Sequence, residues 1–177
     1  MHKELKKYLS AYKFWWTVLT VFIALLIVVF IVCAIAGNDV EYAGLVVFVV
    51  ALGLSLIPQY KSKKFYEKLE QDSQYWRIVE DFEKSLPMRK KTVRFGEQWI
   101  FRKGKEGFLK YEDITQVYQY IHKQNFVENE RKLKYVDKAG KERTLCNLEL
   151  RGKSDEEVKQ MILLILNKNP DVKIGYT

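Results

Sequence analysis

Residues 14–36 read FWWTVLTVFIALLIVVFIVCAIA, and this stretch decides what kind of protein the chain is. It holds 23 consecutive uncharged residues, 15 of them Leu, Ile, Val or Phe. At about 1.5 Å per residue such a helix reaches about 34 Å, enough to cross a hydrocarbon core of about 30 Å. Each apolar residue near the helix centre favours insertion by roughly 0.3–0.6 kcal/mol, in sum more than Thr17 and Thr20 cost. A buried helix of this composition needs a large soluble core around it, which a chain of 177 residues does not offer here. The stretch therefore predicts a membrane span.

A second uncharged run, residues 42–60, has 19 residues and reaches about 28 Å. Gly44, Gly53 and Pro58 weaken it as an isolated helix, but spanning helices tolerate such residues because their backbone has no water to turn to. Gly37, Asn38 and Asp39 supply turn chemistry between the runs, and so short a connection makes the helices antiparallel. Residues 1–60 thus predict a two-helix transmembrane hairpin.

Lys3, Lys6, Lys7 and Lys13 precede the first run, Lys61, Lys63, Lys64 and Lys68 follow the second, and no Lys or Arg lies between them. Lys and Arg are retained on the cytoplasmic side, so the prediction is a multi-pass protein of the cell membrane with both ends cytoplasmic. Trp15, Trp16, Tyr42 and Tyr60 take interfacial positions. A cleavable signal peptide ending at Ala34, Ile35 and Ala36 fits less well, because the run exceeds the usual core of about 7–15 residues. A lipoprotein site at Cys33 fits worse still, with Val32 where a small residue is expected.

Neither run contains Asp, Glu, Lys, Arg or His, which leaves no intramembrane proton relay or charged substrate site. Thr20 with Ala24, and Ala51 with Ser55, have small-residue spacing that suits packing within the hairpin, with homodimerisation the minority reading.

After Tyr60 the composition turns abruptly charged. Phe65, Leu69, Trp76, Val79, Phe82 and Leu86 form one apolar stripe at helical spacing, predicting a juxtamembrane amphipathic helix over 61–86 that Pro87 ends. The stripe must bury against the distal domain, a second copy or the membrane surface. Asp72 and Ser73 interrupt it and weaken the coiled-coil alternative.

From residue 88 the spacing becomes alternation. Strands are predicted at 92–95, 98–102, 108–111, 114–122, 132–136 and 143–150, around turns at Gly96, Gly104 with Gly107, and Gly140. The buried face of 114–122 is left open. Gly152 and Ser154 open a helix with Ser154 as N-cap, Glu157 completing a capping box, and Val158, Met161, Ile162, Ile165 and Leu166 as its apolar face. It stops near 167–170, and 171–176 reads as a short edge strand. The fold class is α+β: hairpin over 1–60, linking helix over 61–87, and a small antiparallel domain closed by a C-terminal helix over 88–177.

Trp99, Ile100 and Phe101, a glycine turn, and then Tyr111, Glu112, Asp113, Ile114 and Val117 form a recurring pattern, as does the ending Asn169, Pro170, Asp171, Gly175 and Tyr176. With the two-span layout, this resembles uncharacterised bacterial membrane proteins carrying a YcxB-like, pleckstrin-homology-like cytoplasmic domain. The resemblance covers about residues 92–177. It implies a fold, in which a curved sheet is closed by a helix, and a location; it carries no catalytic residues to transfer.

Catalytic chemistry is sparse. His122 is the lone histidine of the distal part, on a strand rather than beside a nucleophile, and Glu112 with Asp113 would point to opposite faces of a strand, which suits a structural turn better than an acid–base pair. Asp155, Glu156 and Glu157 suit the first turn of a helix. Gly104, Lys105, Glu106 and Gly107 lie between strands, whereas a phosphate loop opens a helix. Cys33 and Cys146 have no Cys-x-x-Cys partner and no nearby His, so neither a metal site nor a disulfide is expected. The expectation is no enzyme, no cofactor and no metal.

The net charge of +8 is spread over the span flanks and the distal domain, which points to an anionic inner leaflet before nucleic acid. Lys61, Lys63 and Lys64 are expected at the membrane surface. Arg102, Lys103, Lys105 and Lys110 bracket one predicted turn and form a candidate headgroup site, against the reading of a solvated tip whose charges deter edge pairing. The leading expectation is a membrane-anchored binding or scaffold protein with a protein or lipid partner. The runner-up is an accessory or immunity-type subunit of a transporter or export system acting through its hairpin.

Overall fold

The computed structural model describes residues 2–11, 13–35, 42–104, 107–150 and 155–175, with backbone alone at 13–15 and 42–45. The chain is α+β, and its elements fall into two compact units, residues 10–75 and residues 2–9 with 76–177.

The first unit holds α2 (Lys13–Ile35) and α3 (Tyr42–Gln71). Within α2, the 20 residues Trp16–Ile35 are long and apolar enough to cross a membrane. Their side chains are not packed into a soluble core: Phe22, Leu25 and Val32 are more than half exposed. Helix α3 continues through Pro58, whose ring removes one backbone donor without ending it. Phe30 lies 5.3 Å from Phe48, ring centre to ring centre, and Thr20 meets Ser55 and Gln59, so α2 and α3 run antiparallel. The predicted turn at Gly37, Asn38 and Asp39, and the side chains of Trp15 and Tyr42, lie outside the described residues.

The single helix expected over 61–86 is two helices. Its first part continues α3 to Gln71, and α4 (Tyr75–Lys84) starts afresh. The break is chemical: the Asp72 carboxylate accepts the Gln74 N–H at 2.8 Å, an Asx turn, and the Asp72 carbonyl accepts the Tyr75 N–H at 3.0 Å. Pro87 does not end a helix either. It lies in the short strand β1 (Leu86–Met88), on a sheet edge where a missing N–H is tolerated.

The second unit contains two four-stranded sheets. In one, β1, β2 (Val93–Phe95), β3 (Trp99–Arg102) and β4 (Phe108–Lys110) follow in sequence order, all antiparallel. A 3-10 turn, Tyr111–Asp113, leads to the other, so Glu112 and Asp113 occupy a structural turn, as expected for them. There the order is β7 (Glu142–Asn147), β6 (Val127–Asp137), β5 (Ile114–Gln124) and β8 (Lys173–Ile174), with β8 parallel to β5. A register shift between Ile114 and Gln116 breaks the alternation of β5, which explains why Ile114 and Val117, three residues apart, both enter the core.

Helix α5 (Asp155–Lys168) contributes Val158, Met161 and Ile165 to the core that both sheets share. Its expected N-cap, Ser154, and the expected strand residue Tyr176 lie outside the described residues. The basic N-terminal flank is itself structured. Lys3–Leu9 form α1, with Leu5 and Leu9 fully buried and Lys3, Lys6 and Lys7 exposed. The Tyr8 carbonyl accepts the Gly104 N–H at 3.0 Å, the Tyr8 ring lies 5.3 Å from Phe82, and His2 pairs with Glu83 at 3.1 Å.

Candidate functional site

Among the described residues of the basic turn between β3 and β4, the cations Arg102, Lys103 and Lys110 have different surroundings. Arg102 turns inward from β3, donating to the Thr144 carbonyl at 3.3 Å with its guanidinium 5.7 Å from the centre of the Tyr135 ring. Lys103 is exposed, and Lys110 pairs with Glu112 at 3.5 Å. Lys105 lies outside the described residues. Gly104 has φ of 69° and supports the C-terminal end of α1 through its N–H. The turn is thus in part a packing element of the second unit.

Lys61, Lys63 and Lys64 are exposed on α3 just past Pro58, with Lys63 3.9 Å from Glu67 one turn on. They form a cationic helix segment of the first unit.

A second basic turn, unanticipated from sequence, joins β1 to β2. Arg89, Lys90 and Lys91 take φ of 51°, 52° and 63° in succession, a left-handed run that non-glycine residues avoid at about 1–2 kcal/mol each. Carboxylates hold it. The Arg89 N–H donates to Glu157, its Nε donates to the Asn147 carbonyl at 2.8 Å, and its guanidinium pairs with Glu149 at 3.1 Å. Lys90 pairs with Glu149 at 3.0 Å. The hydrogen bond from Lys90, followed by that from Arg89, draws the Glu149 carboxyl below its ordinary range. Only the three consecutive basic residues signal this turn in the sequence, since it carries no Gly, Asn or Asp.

One cleft of roughly 300 Å³ lies between α4 and the β2–β3 turn, lined by Arg77, Lys84, Glu97 and Gln98 among others. Its floor is a latch. The buried Asp81 carboxylate accepts the N–H of Glu97, of Gln98 at 3.2 Å and of Trp99 at 3.0 Å. A Cβ at Gly96 would lie 2.2 Å from Asp81 Oδ2, so only glycine fits beside the latch. Tyr111 donates to the Gly96 carbonyl at 2.8 Å; burial first, and the charge of Asp81 second, push its phenol up. Three backbone donors thus hold the Asp81 carboxylate in a structural role.

His122 is exposed on β5, across from Glu130. Cys146 is buried, and burial pushes its thiol up to about 12, the opposite of an activated nucleophile. Cys33 is half-buried on α2. Among the described residues no group of three or more His, Cys, Asp or Glu is placed to hold a metal ion.

The strand pair β5–β6 is longer than the sequence suggested, and it carries the most exposed apolar residue. Gln124 pairs with Val127 across a two-residue turn, Asn125 and Phe126, at φ of 50° and 63°. Phe126 is 103% exposed, and every residue from 121 to 127 is exposed. The pair is anchored at its base by Arg131, whose buried guanidinium bonds Asp155 of α5 and lies 3.7 Å from Glu128. The usual Asn-Gly signal of such turns is missing, which hid this one.

No family of known proteins, no curated protein and no solved structure matches this chain.

Proposed function

We propose that the chain is a non-enzymatic, membrane-anchored binding protein of the cell membrane. In this reading α2 and the first part of α3 form a two-span hairpin with both chain ends cytoplasmic, and a pleckstrin-homology-like domain presents its surface to a protein partner or to anionic headgroups. The carrying observation is the apolar segment Trp16–Ile35, exposed along its length and paired with an antiparallel helix whose Val46, Val47, Val50 and Leu54 are exposed too. Such surfaces suit lipid and not water. Two sheets that are antiparallel except for the short β8, packed with α5, support the domain's resemblance to the pleckstrin-homology-like fold.

Several features of the side chains support a binding role over a catalytic one. Asp81 is saturated by backbone donors, Cys146 is buried with its thiol pushed up, and His122 is exposed on the ribbon. Arg89, Lys90, Lys132 and Lys134 are neutralised by carboxylates of the same domain, which favours a protein or membrane surface over nucleic acid. Thr20, Ser55 and Gln59 spend their polar groups on one another, which at these three positions favours packing within the helix pair over contacts with another subunit.

The test exchanges parts in the full-length protein. With both spans replaced by an unrelated hairpin, a partner crosslinked in membranes and recovered in mild detergent should still be recovered stoichiometrically. With the distal domain replaced, it should be lost. Recovery that follows the spans instead would establish the accessory-subunit reading.

A further inference from the structure

We infer that the β5–β6 ribbon is a second membrane contact, with Phe126 at its tip inserting into the bilayer interface. This rests on the membrane-anchored reading above. Phe126 combines two unfavourable features. A bulky aromatic occupies the left-handed region at φ 63°, where glycine would be unstrained, and it is wholly exposed. Neither feature supports the core. Strain and exposure concentrated at one tip mark a residue placed for contact with something outside the fold.

The shape of the ribbon selects the occupant. On the β8 side, β5 is paired at Gln116 and Val117, and among the described residues no strand covers it further out. Beyond Arg131 the ribbon therefore narrows to two strands and a turn. A protein interface of ordinary stability needs roughly 800 Å² from each partner, whereas one aromatic offers about 150–250 Å². A point contact of that size suits a fluid interface that closes round it, and a second copy meeting tip to tip gains too little area. Tethering compensates for the weakness of a single aromatic. The anchor holds a bilayer near the domain, so insertion is an intramolecular step at high effective concentration.

The chemistry around the tip agrees. Val127 and Ile121 add exposed apolar surface, Lys123 supplies a cation that can reach headgroups, and Gln124 and Asn125 are neutral. Residues 121–127 contain no Asp or Glu, and the two carboxylates of the returning strand are met by cations, Glu128 by Arg131 at 3.7 Å and Glu130 by Lys132 at 2.5 Å. An anionic leaflet would not repel this tip.

The experiment uses the full chain in nanodiscs, with Cys33 and Cys146 replaced by Ala and one environment-sensitive fluorophore on a new cysteine. The sites are Lys123→Cys near the tip, which keeps Phe126, and Lys138→Cys on the β6–β7 turn as the control. With phosphatidylcholine discs, with or without phosphatidylglycerol, quenching by lipids spin-labelled high on the acyl chain should be at least twofold stronger at 123 than at 138. Adding Phe126→Gly to the Lys123→Cys protein should abolish that excess. Equal quenching at 123 and 138, or an excess at 123 that survives Phe126→Gly, overturns the inference. A blue shift at 123 that ignores spin-labelled lipid and grows with the number of copies per disc assigns the tip to a second copy and overturns it too. A chain that fails to enter discs refutes the anchored reading before any quenching is measured.

Discussion

At the scale of single residues, Gly96 and Asp81 show how one contact dictates a side chain. A Cβ at position 96 would fall 2.2 Å from a carboxylate that backbone donors hold in place and that is only 7% exposed. Gly96→Ala should cost about 1–3 kcal/mol, the usual penalty of overpacking. Asp81→Ala should cost on the order of 3 kcal/mol by leaving the buried Trp99 N–H, and the N–H groups of Glu97 and Gln98 beside it, without their charged acceptor. Because both act on one contact, the glycine substitution should cost much less in the Asp81→Ala background, and a double-mutant cycle by urea unfolding in detergent measures that. Independent effects that simply add would sink the latch. Phe126 is expected to behave in the opposite sense. Phe126→Gly relieves a left-handed aromatic but loosens the unfolded chain, so a net gain of about 0.5–1 kcal/mol is expected in the same unfolding assay. A loss would mean that Phe126 packs in a way its full exposure denies.

At the scale of elements, the β1–β2 turn is joined through charge to α5 by Glu157 and to the segment after β7 by Glu149. Glu149 is held low by Lys90 and then Arg89, and a carboxyl lowered in the fold stabilises it above the ordinary value of 4.5. That contribution is lost as pH falls through the lowered value. Urea midpoints should therefore fall from pH 6 to pH 3, and Glu149→Gln should flatten the slope; an unchanged slope would place the acid sensitivity elsewhere. Between α2 and α3, the Thr20 hydroxyl donates to the Trp16 carbonyl at 2.8 Å, accepts from Gln59 at 2.8 Å and lies 3.1 Å from Ser55. Thr20→Val removes all of these and should cost about 1–2 kcal/mol in detergent unfolding, since interhelical hydrogen bonds in membranes are worth about 0.6–1.7 kcal/mol. Gln59→Leu should cost less. The sequence made β2, β3 and β4 legible to within a residue or two, because Val93, Phe95, Ile100 and Phe101 cluster around a glycine turn, but it hid β1, whose Leu86 continues the apolar spacing of a helix. It hid α1, whose buried face is only Leu5 and Leu9, too short for a periodicity to register. It hid the ribbon because Asn125 and Phe126 adopt a glycine-type turn without glycine. The cations at 102–110 were visible as residues, but where Arg102 turns depends on Tyr135 and Thr144, some forty residues away and beyond the reach of local pattern.

At the scale of the whole molecule, the proposed topology ties the apolar segments to the basic ones. Residues 14–36 and 42–60 are free of Lys and Arg, the segment between them carries Asp39 and Glu41, and Lys flanks both outer ends. Moving either flank outward would carry several lysines across the bilayer, at roughly 2.5–3.5 kcal/mol for each one at the midplane on insertion scales. A single-span alternative would strand the apolar first half of α3, including Val46, Val47 and Leu54, in water. The two layouts differ in where position 38 lies relative to the distal domain. With Cys33 and Cys146 replaced by Ala, Asn38→Cys should react with a membrane-impermeant maleimide on intact cells expressing the protein. Lys123→Cys and Lys103→Cys, both at exposed positions of the distal unit, should react only after permeabilisation. Position 38 and the distal cysteines labelling together on intact cells would mean one span with the domain outside. Labelling of the distal cysteines alone would invert the hairpin and remove the cytoplasmic leaflet as the surface that Lys61, Lys63 and Lys64 face.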